Sequence, residues 1–222
     1  MNNFLKRLYS LQKTALDTFF PIECLGCHQT GEILCEKCLD EIIILNKWES
    51  NLCSLKRIVT IFDYQQPLFR KALKSFKYSP YNLNILKRLS PLFIKCLKQS
   101  PLALNYLTKN KFVLIPIPLS RQKLAKRGFN QAELIAQELV LAFNWPLKNI
   151  LKKVKNNPSQ TNLNREQRKL NVQNIFQIKE QPPANVILVD DVLTTGATLE
   201  QAANVLQQAG VKKIWAIVLA QD

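Results

Sequence analysis

Two kinds of hydrophobic pattern alternate along this chain, and together they predict an α/β fold. Short apolar runs have the length and the β-branched content of buried strands, and they span residues 58–62, 112–117, 174–178, 186–189 and 214–219. Apolar residues recur at helical spacing between these runs, over residues 67–77, 82–98, 130–143 and 199–209. Strands that alternate with helices are typical of a parallel sheet with flanking helices.

The first fifty residues have a different character. Residues 1–20 place Phe4, Leu8, Leu11, Ala15 and Phe19 on one face of an amphipathic helix, which docks on the protein's own core or on a membrane surface. A short helix is expected over 36–50, and a link over 51–57. The chain is therefore divided into residues 1–50 and 51–222. No secretory signal and no uncharged apolar run of 18 residues occur, so we expect a cytoplasmic protein without a transmembrane segment.

The strand predicted at 186–189 leads into the most informative stretch, VILVDDVLTTGATL. Asp190 and Asp191 are expected at the carboxyl end of this strand, and a small, hydroxylated turn follows them before a helix; this turn contains Thr194, Thr195, Gly196, Ala197 and Thr198. The free N–H groups of a helix N-terminus favour a phosphate, whereas two carboxylates accept hydrogen bonds from hydroxyl groups. The combination predicts a site for a 5-phosphorylated ribose; a solvated helix cap after a strand is the alternative.

Four cysteines near the amino terminus predict a metal site. Cys24 and Cys27 form one C-x-x-C pair, seven residues follow, and Cys35 and Cys38 form a second pair. In a chain without a secretory signal, two such pairs predict a tetrahedral Zn²⁺ site more often than disulfides, although a disulfide or redox pair is the alternative. Because four thiolates complete the coordination shell, we expect His28 to stay outside it. Cys53 and Cys96 are expected to be isolated, partly buried thiols.

The charge of the chain is strongly positive and unevenly distributed. The net charge is +15, and residues 105–180 carry 14 Lys and Arg against 4 Glu. Part of this excess lies in a loop predicted between the strand at 112–117 and a helix that begins with Asn130 and Glu133 as a capping pair. The loop contains Arg121, Lys123, Lys126 and Arg127. It is expected beside Asp190, where a pyrophosphate would bind; a solvated basic loop is the alternative.

Residues 156–174 are polar and lack periodicity, which predicts a functional or mobile loop. With Arg165, Arg168 and Lys169, this segment could form a lid over the phosphates. The positive charge also predicts weak, sequence-independent binding of single-stranded DNA, centred on 121–127 and 165–169. Few aromatic residues accompany these cations, so stacking platforms for bases are scarce. If the same cations bind pyrophosphate, DNA and the phosphorylated ligand must compete for them. The alternative is that the positive charge only helps to bind the phosphorylated ligand.

The stretch at 186–199 resembles the ribose-phosphate signature of the type I phosphoribosyltransferases, whose substrate is phosphoribosyl pyrophosphate (PRPP). Over nearly the whole chain, the order of four segments is similar to the ComF competence family. These segments are CxxC-x7-CxxC, IPIPLSRQKLAKRGFNQAELIAQEL, QTNLNREQRKLNV and VILVDDVLTTGATL. The resemblance implies a zinc finger on a phosphoribosyltransferase domain, a role in the uptake of transforming DNA, and DNA-uptake or helicase proteins as partners.

Carried over by position, the resemblance implies that Asp190 and Asp191 bind ribose hydroxyls and that Thr194–Thr198 bind the 5-phosphate. Purine-salvage enzymes of the wider superfamily carry an acidic base where Thr194 stands here, so their acid–base chemistry does not transfer. Two functions therefore stay open. One is a PRPP-binding module that serves DNA uptake; the other is an enzyme that transfers ribose 5-phosphate from Mg²⁺–PRPP to a nitrogen nucleophile and releases pyrophosphate.

Overall fold

A computed structural model describes residues 21–49, 55–78, 82–154 and 175–222. Among these residues there are seven helices, namely α1 (Glu36–Asp40), α2 (Pro67–Tyr78), α3 (Asn82–Lys98), α4 (Pro101–Lys109), α5 (Arg121–Arg127), α6 (Gln131–Phe143) and α7 (Ala197–Gln208). The strands are β1 (Ile44–Glu49), β2 (Arg57–Asp63), β3 (Val113–Pro116), β4 (Leu151–Lys153), β5 (Phe176–Ile178), β6 (Asn185–Leu193) and β7 (Lys213–Gln221). None of the described helices is both long and apolar enough to cross a membrane.

Five strands form the central sheet in the order β1-β2-β7-β6-β3. β2, β7, β6 and β3 are parallel, and β1 pairs antiparallel with β2 at one edge. The apolar runs predicted for these four parallel strands are confirmed. A parallel sheet needs cover on both faces, which explains why these runs are continuous rather than alternating. All four parallel strands end at the same edge of the sheet, where ligands of open α/β folds bind.

Side chains that alternate along the central strands divide the core into two layers. Ile187, Val189 and Ile217 pack with α2, α3 and α6 on one face. Val186 and Leu188 pack with α7 and with the small β4–β5 sheet on the other. The helices predicted over 67–77, 82–98, 130–143 and 199–209 therefore each bury one face against the sheet, as their periodicity indicated.

Several local predictions were wrong. The helix expected over 36–50 stops at Asp40, and residues 44–49 form β1. The β-branched run Ile42–Ile44 favours extended backbone, and the exposed edge of β2 offers hydrogen-bond partners. The strand predicted at 174–178 pairs with β4 in a separate two-stranded sheet. Helix α4 was not predicted, although Ser100 and Pro101 supply a start signal.

Helix α6 begins where predicted but without the expected capping pair. Asn130 occupies the N-cap position, yet its side chain makes no capping bond and donates instead to the carbonyl of Ile117 (3.0 Å). Glu133 accepts from the amide of Asn149. The predicted core face is buried at Ala132, Ile135, Ala136 and Leu139, while Val140 and Phe143 are partly exposed.

Three predictions fall outside the described residues: the helix over 1–20, the segment 156–174 with Arg165, Arg168 and Lys169, and the thiol of Cys53. Cys96, in contrast, is fully buried in α3, and burial raises its pKa to about 11. The prediction of an isolated thiol at Cys96 is confirmed, but the side chain is fully rather than partly buried.

Candidate functional site

Asp190 and Asp191 lie within β6, three and two residues before its end, and not beyond the strand as predicted. The reason is that β7 continues to pair with this segment, through Asp190 to Val218 and Val192 to Ala220. The pairing with β3 stops earlier, at Pro116 opposite Val189. The acid pair thus lies where the sheet is already open on one side.

The two carboxylates have different partners because successive side chains of a strand point to opposite faces. Asp191 is on the face that carries α2, and its Oδ2 is 2.7 Å from Nζ of Lys77 in the last turn of that helix. Both side chains of this ion pair are at most one-fifth exposed. Asp190 accepts a hydrogen bond from the backbone N–H of Asp191 through Oδ1 (2.8 Å).

The environment of Asp190 strongly favours its protonated form. Burial is the largest cause and the neighbouring charge of Asp191 the next, and together they raise the pKa of Asp190 to about 8. The N–H of Asp191 and the charge of Lys77 act in the opposite direction without overcoming them. A buried carboxyl group with a pKa near neutrality is a frequent property of ligand-binding and catalytic sites.

The segment after β6 has the form predicted for a phosphate loop. Thr194 and Thr195 are exposed, and Gly196 adopts a left-handed conformation (φ 77°) at the N-cap of α7. Thr195 Oγ1 accepts a hydrogen bond from the N–H of Ala197 (3.4 Å). Ala197 and Thr198 belong to the first helical turn, whose N–H groups have no helical partner. The loop and α7 therefore follow β6 as predicted, with the acid pair inside the strand rather than after it.

The cations at 121–127 form helix α5, and not a loop as predicted. Ser120 caps this helix by accepting from the N–H of Lys123 (3.4 Å), and Gly128 ends it in a left-handed conformation. Arg121, Lys123 and Lys126 are exposed. The helix was not predicted because it is short: seven residues with few apolar positions show almost no helical periodicity.

Two cations of this predicted cluster, Lys123 and Arg127, have identified neighbours. Lys123 lies within electrostatic reach of the half-buried Lys153, whose pKa is lowered first by burial and next by Lys123, while Asp190 opposes the shift. Arg127 is already engaged: its guanidinium donates to Gln131 Oε1 (3.0 Å) and to the hydroxyl of Tyr78 (3.2 Å). Nothing in the described residues tests the predicted role of Arg121, and Arg168 is outside them.

Three residues of this site were missed from the sequence: Lys77, Tyr78 and Lys153. The first two end helix α2 and the third lies in the three-residue strand β4, so no motif marks them. A further signal is an unsatisfied amide next to Arg127. Gln131 is 1% exposed, and its Nε2 finds no hydrogen-bond partner among the described residues. Buried donors of this kind are rare and commonly face a water molecule or a ligand.

The four predicted cysteines form a single cluster. Their sulfur atoms all lie within 4.8 Å of one another, with Sγ of Cys35 at 3.7 Å from that of Cys24 and 3.6 Å from that of Cys27. Sulfurs bonded tetrahedrally to one zinc ion at about 2.3 Å would be about 3.8 Å apart. His28 stays outside this cluster and contacts Glu23 (3.6 Å). The donor set and its spacing therefore fit Zn²⁺.

The electrostatics of the cysteines agree with this fit. Burial acts to raise the pKa of Cys24, but the backbone N–H groups of Cys35, Cys27 and Gly26 together lower it to about 6. Burial, followed by the neighbouring sulfurs, raises the pKa of Cys38 to about 12. Four thiolates so close together repel one another, and a divalent cation would remove that repulsion. Gly26 is required here because a Cβ atom would lie 2.6 Å from Cys38 Sγ.

Comparison with known proteins supports the assignment of the domain that carries the acid pair. Residues 124–222 match the family model of the phosphoribosyl transferase domain. The chain is 39% identical over 114 residues to Competence protein F of Haemophilus influenzae, covering 48% of this chain and 50% of that protein. It is 42% identical over 101 residues to Competence protein ComFC of Bacillus subtilis, covering 45% and 40%. These two matches span half or less of each relative.

A third relative aligns over most of its length. Competence protein ComFC of Streptococcus pneumoniae is 30% identical over 201 residues, which cover 86% of this chain and 84% of that protein. The α/β sheet with its phosphoribosyl transferase domain and the cysteine cluster near the amino terminus occur in the order that the resemblance implied. The chain belongs to the ComF family of competence proteins.

Proposed function

We propose that this protein binds PRPP together with Mg²⁺ at the carboxyl edge of its sheet, and that it serves DNA uptake in the cytoplasm. The observation that carries the proposal is the Asp190–Asp191 pair, which a short loop separates from the N-terminus of α7 and which has Lys77 and Lys153 as neighbouring cations. Carboxylates, free helical N–H groups and cations match the hydroxyl, phosphate and pyrophosphate groups of PRPP, respectively.

Each part of the ligand has candidate partners in this chain. Asp190 and Asp191 would accept hydrogen bonds from the ribose hydroxyls, and residues 194–198 would surround the 5-phosphate. The pyrophosphate would lie toward Arg121 and Lys123 on α5, with Arg168 as a predicted addition. Mg²⁺, bound with PRPP, would neutralise part of the pyrophosphate charge. Arg127 would contribute indirectly, because its hydrogen bonds to Tyr78 and Gln131 hold the junction of α5 and α6 in place.

The cysteine cluster would hold one structural zinc ion through Cys24, Cys27, Cys35 and Cys38. Four protein thiolates fill a tetrahedral shell and leave no open position, which is the coordination of structural rather than catalytic zinc. The ion would fix the two C-x-x-C turns against helix α1. This role is separate from the PRPP site, since the cluster contains none of the residues at the carboxyl edge.

An active phosphoribosyltransferase is the second candidate function. The observation in its favour is the set of cations around the acid pair, which could stabilise a departing pyrophosphate. The missing acidic base at position 194 favours the binding module instead. Release of pyrophosphate from PRPP in the presence of candidate nitrogen nucleophiles would establish the enzyme, and its absence across them would favour the binding module.

DNA handling is the biological part of the proposal. Its support is the family, whose members compared here are competence proteins, together with the net charge of +15. We propose weak, sequence-independent binding to single-stranded DNA and contact with DNA-uptake or helicase proteins. Lysines and arginines that neutralise backbone phosphates release counterions, so this binding should weaken steeply as salt is raised.

The PRPP site is tested by the double variant Asp190→Asn, Asp191→Asn in isothermal titration calorimetry with Mg²⁺–PRPP. Loss of the charge-assisted hydrogen bond at Asp191 costs about 1.5–3 kcal/mol and loss of the neutral acceptor at Asp190 about 0.5–1.5 kcal/mol, so the two changes together should weaken binding about 30- to 1,500-fold. Circular dichroism should show an unchanged fold.

A matched control is Asp40→Asn, Glu41→Gln, which removes two adjacent carboxylates that are both exposed. It should bind Mg²⁺–PRPP as the wild-type protein does. Unchanged affinity in the Asp190, Asp191 variant would exclude this site for the ribose.

A further inference from the structure

A cavity of about 650 Å³ lies at the amino end of the sheet, opposite the edge that carries the acid pair. Its lining includes Arg57, which is the first residue of β2, the preceding Lys56, and the aromatic rings of Trp48, Tyr106 and Trp215. The first turn of α4 closes one side. Because strands β2 and β7 begin here and end at the carboxyl edge, this cavity is separate from the proposed PRPP site.

Aromatic rings form the wall of this cavity. Trp215 is only 6% exposed; Tyr106 stacks on it at a centroid distance of 5.5 Å, and Trp48 meets it edge-on at 6.2 Å. Tyr106 is 37% exposed and is the most accessible of the three rings. The indole N–H of Trp48 donates to Asn46 Oδ1 (2.8 Å), which leaves this polar group satisfied without a ligand. Such a wall offers flat apolar surface to a planar ligand.

The cations of this cavity are placed against the rings and not against carboxylates. The guanidinium of Arg57 lies over Trp215 at 5.5 Å. Lys213 is not part of the lining; its Nζ lies over Tyr106 at 5.1 Å and donates to Asn110 Oδ1 (2.9 Å). Lys56 and Arg57 are exposed, and within the described ranges neither forms an ion pair with an acidic side chain. Cations that are stacked on rings and lack acidic partners remain available to an anionic group.

The surrounding sequence reinforces this charge. The two helices α3 and α4 contain five Lys and Arg and no Asp or Glu. α3 and α4 flank the cavity through Gln99 and the residues that follow it. An aromatic wall beside exposed cations matches a ligand that combines planar bases with repeated phosphates; the nearby carboxylate of Glu49 on β1 is engaged by Lys47. Single-stranded nucleic acid is that ligand, because its bases are unpaired and can stack while its backbone contacts the cations.

We propose that this cavity, lined by Trp48, Lys56, Arg57, Tyr106 and Trp215, is the main contact of the protein with single-stranded nucleic acid. The inference deepens the DNA-handling part of the proposed function and rests on it. It differs from the expectation of binding on residues 121–127, because the aromatic residues that this basic segment lacks come from β1, α4 and β7. Nucleic acid bound at the amino end of the sheet would leave the PRPP site open, so the protein could bind both ligands at the same time.

The test is fluorescence anisotropy with labelled oligodeoxythymidine of about 15 nucleotides at several salt concentrations. Tyr106→Leu removes a stacking ring and should weaken binding about five- to hundred-fold, whereas Tyr106→Phe keeps the ring and should bind like the wild type. Lys56→Gln, Arg57→Gln should lower the magnitude of the log–log salt slope by about 1.4, as expected for two lost phosphate contacts. A saturating amount of Mg²⁺–PRPP should leave the affinity unchanged.

The matched control is Arg70→Gln, Lys74→Gln, which removes two exposed cations from α2. Its salt slope should equal that of the wild type. The inference is overturned if both cavity variants bind like the wild type, or if Mg²⁺–PRPP displaces the oligonucleotide, which would place DNA on α5. Thymidine monophosphate that binds as tightly as the oligonucleotide would also overturn it and assign the cavity to a free nucleotide. Calorimetry with Mg²⁺–PRPP on the same variants tests the PRPP site independently.

Discussion

Asp190 combines burial with a neighbouring like charge, and this makes it the residue whose state depends most on pH. Its pKa of about 8 lies well above the ordinary value near 3.8, so the folded protein holds the proton more tightly than the unfolded chain does. The contribution of this group to stability is therefore fully present below about pH 4. It is lost progressively as the pH rises toward 8.

The raised pKa of Asp190 predicts how the stability of the unliganded protein depends on pH. Between pH 4 and pH 8 the stability of the wild type should fall relative to that of Asp190→Asn, by at most about 1.4 kcal/mol for each pH unit. Urea denaturation across this range measures the difference. The exposed variant Asp40→Asn serves as control and should follow the wild type. Parallel stability profiles for wild type and Asp190→Asn would contradict the raised pKa.

Residues that share a short motif could be identified from the sequence, and residues that meet only in the fold could not. The acid pair, the turn at 194–198 and the four cysteines are each encoded within a few positions. Lys77 reaches Asp191 from the last turn of a helix in the first half of the chain, and Lys153 reaches Asp190 from a three-residue strand. No local pattern distinguishes these lysines from the others of a basic chain.

At the scale of elements, length decided what the sequence could predict. The parallel strands were confirmed because each is a continuous apolar run, and the long helices around the core because each repeats its apolar positions over several turns. The short elements were misjudged: α5 was expected to be a loop, and β1 was expected to be part of a helix. Both depend on surroundings, α5 on its caps at Ser120 and Gly128, and β1 on pairing with β2.

The first C-x-x-C turn depends on Gly26, a residue without a side chain. A Cβ atom on Gly26 would lie 2.6 Å from Cys38 Sγ and 3.3 Å from Leu68 Cδ1, so Gly26→Ala should push the sulfur out of place. Overpacking of this kind costs about 1–3 kcal/mol, which predicts about five- to hundred-fold weaker zinc binding. Competition with a chromophoric chelator measures it. Gln29→Ala, in the same turn region, should bind zinc like the wild type.

For the whole molecule, the cysteine-rich segment and the sheet share one core. Leu34, Leu39 and Ile42 pack in the same layer as α2 and α3. Lys71 donates to the carbonyl of Leu25 (2.7 Å), and Arg88 donates to that of Leu34 (2.8 Å). The division of the chain at residue 50 stays a prediction, and these contacts indicate how strongly the two parts would be coupled.

Removal of zinc should therefore affect more than the segment that holds it. We expect a chelator to accelerate hydrogen exchange over residues 21–42, because metal binding supplies much of the folding energy of such turns. A smaller acceleration should appear in α2 and α3, which contact the cysteine-rich segment through Lys71 and Arg88. Exchange in β3 and β6 should stay slow. Hydrogen-exchange mass spectrometry with and without the chelator measures this gradient. Unchanged exchange over 21–42 would contradict a structural zinc ion.

The strand order also sets a sequence of events during synthesis. β2 and β6 belong to opposite halves of the sheet and touch no common strand except β7, which follows both in the chain. Until residues 213–221 have left the ribosome, the β1–β2 pair and the β3–β6 pair have nothing to join them, and each exposes an unpaired strand edge. The sheet can close only once its central strand, the last of the seven to be made, has inserted between them.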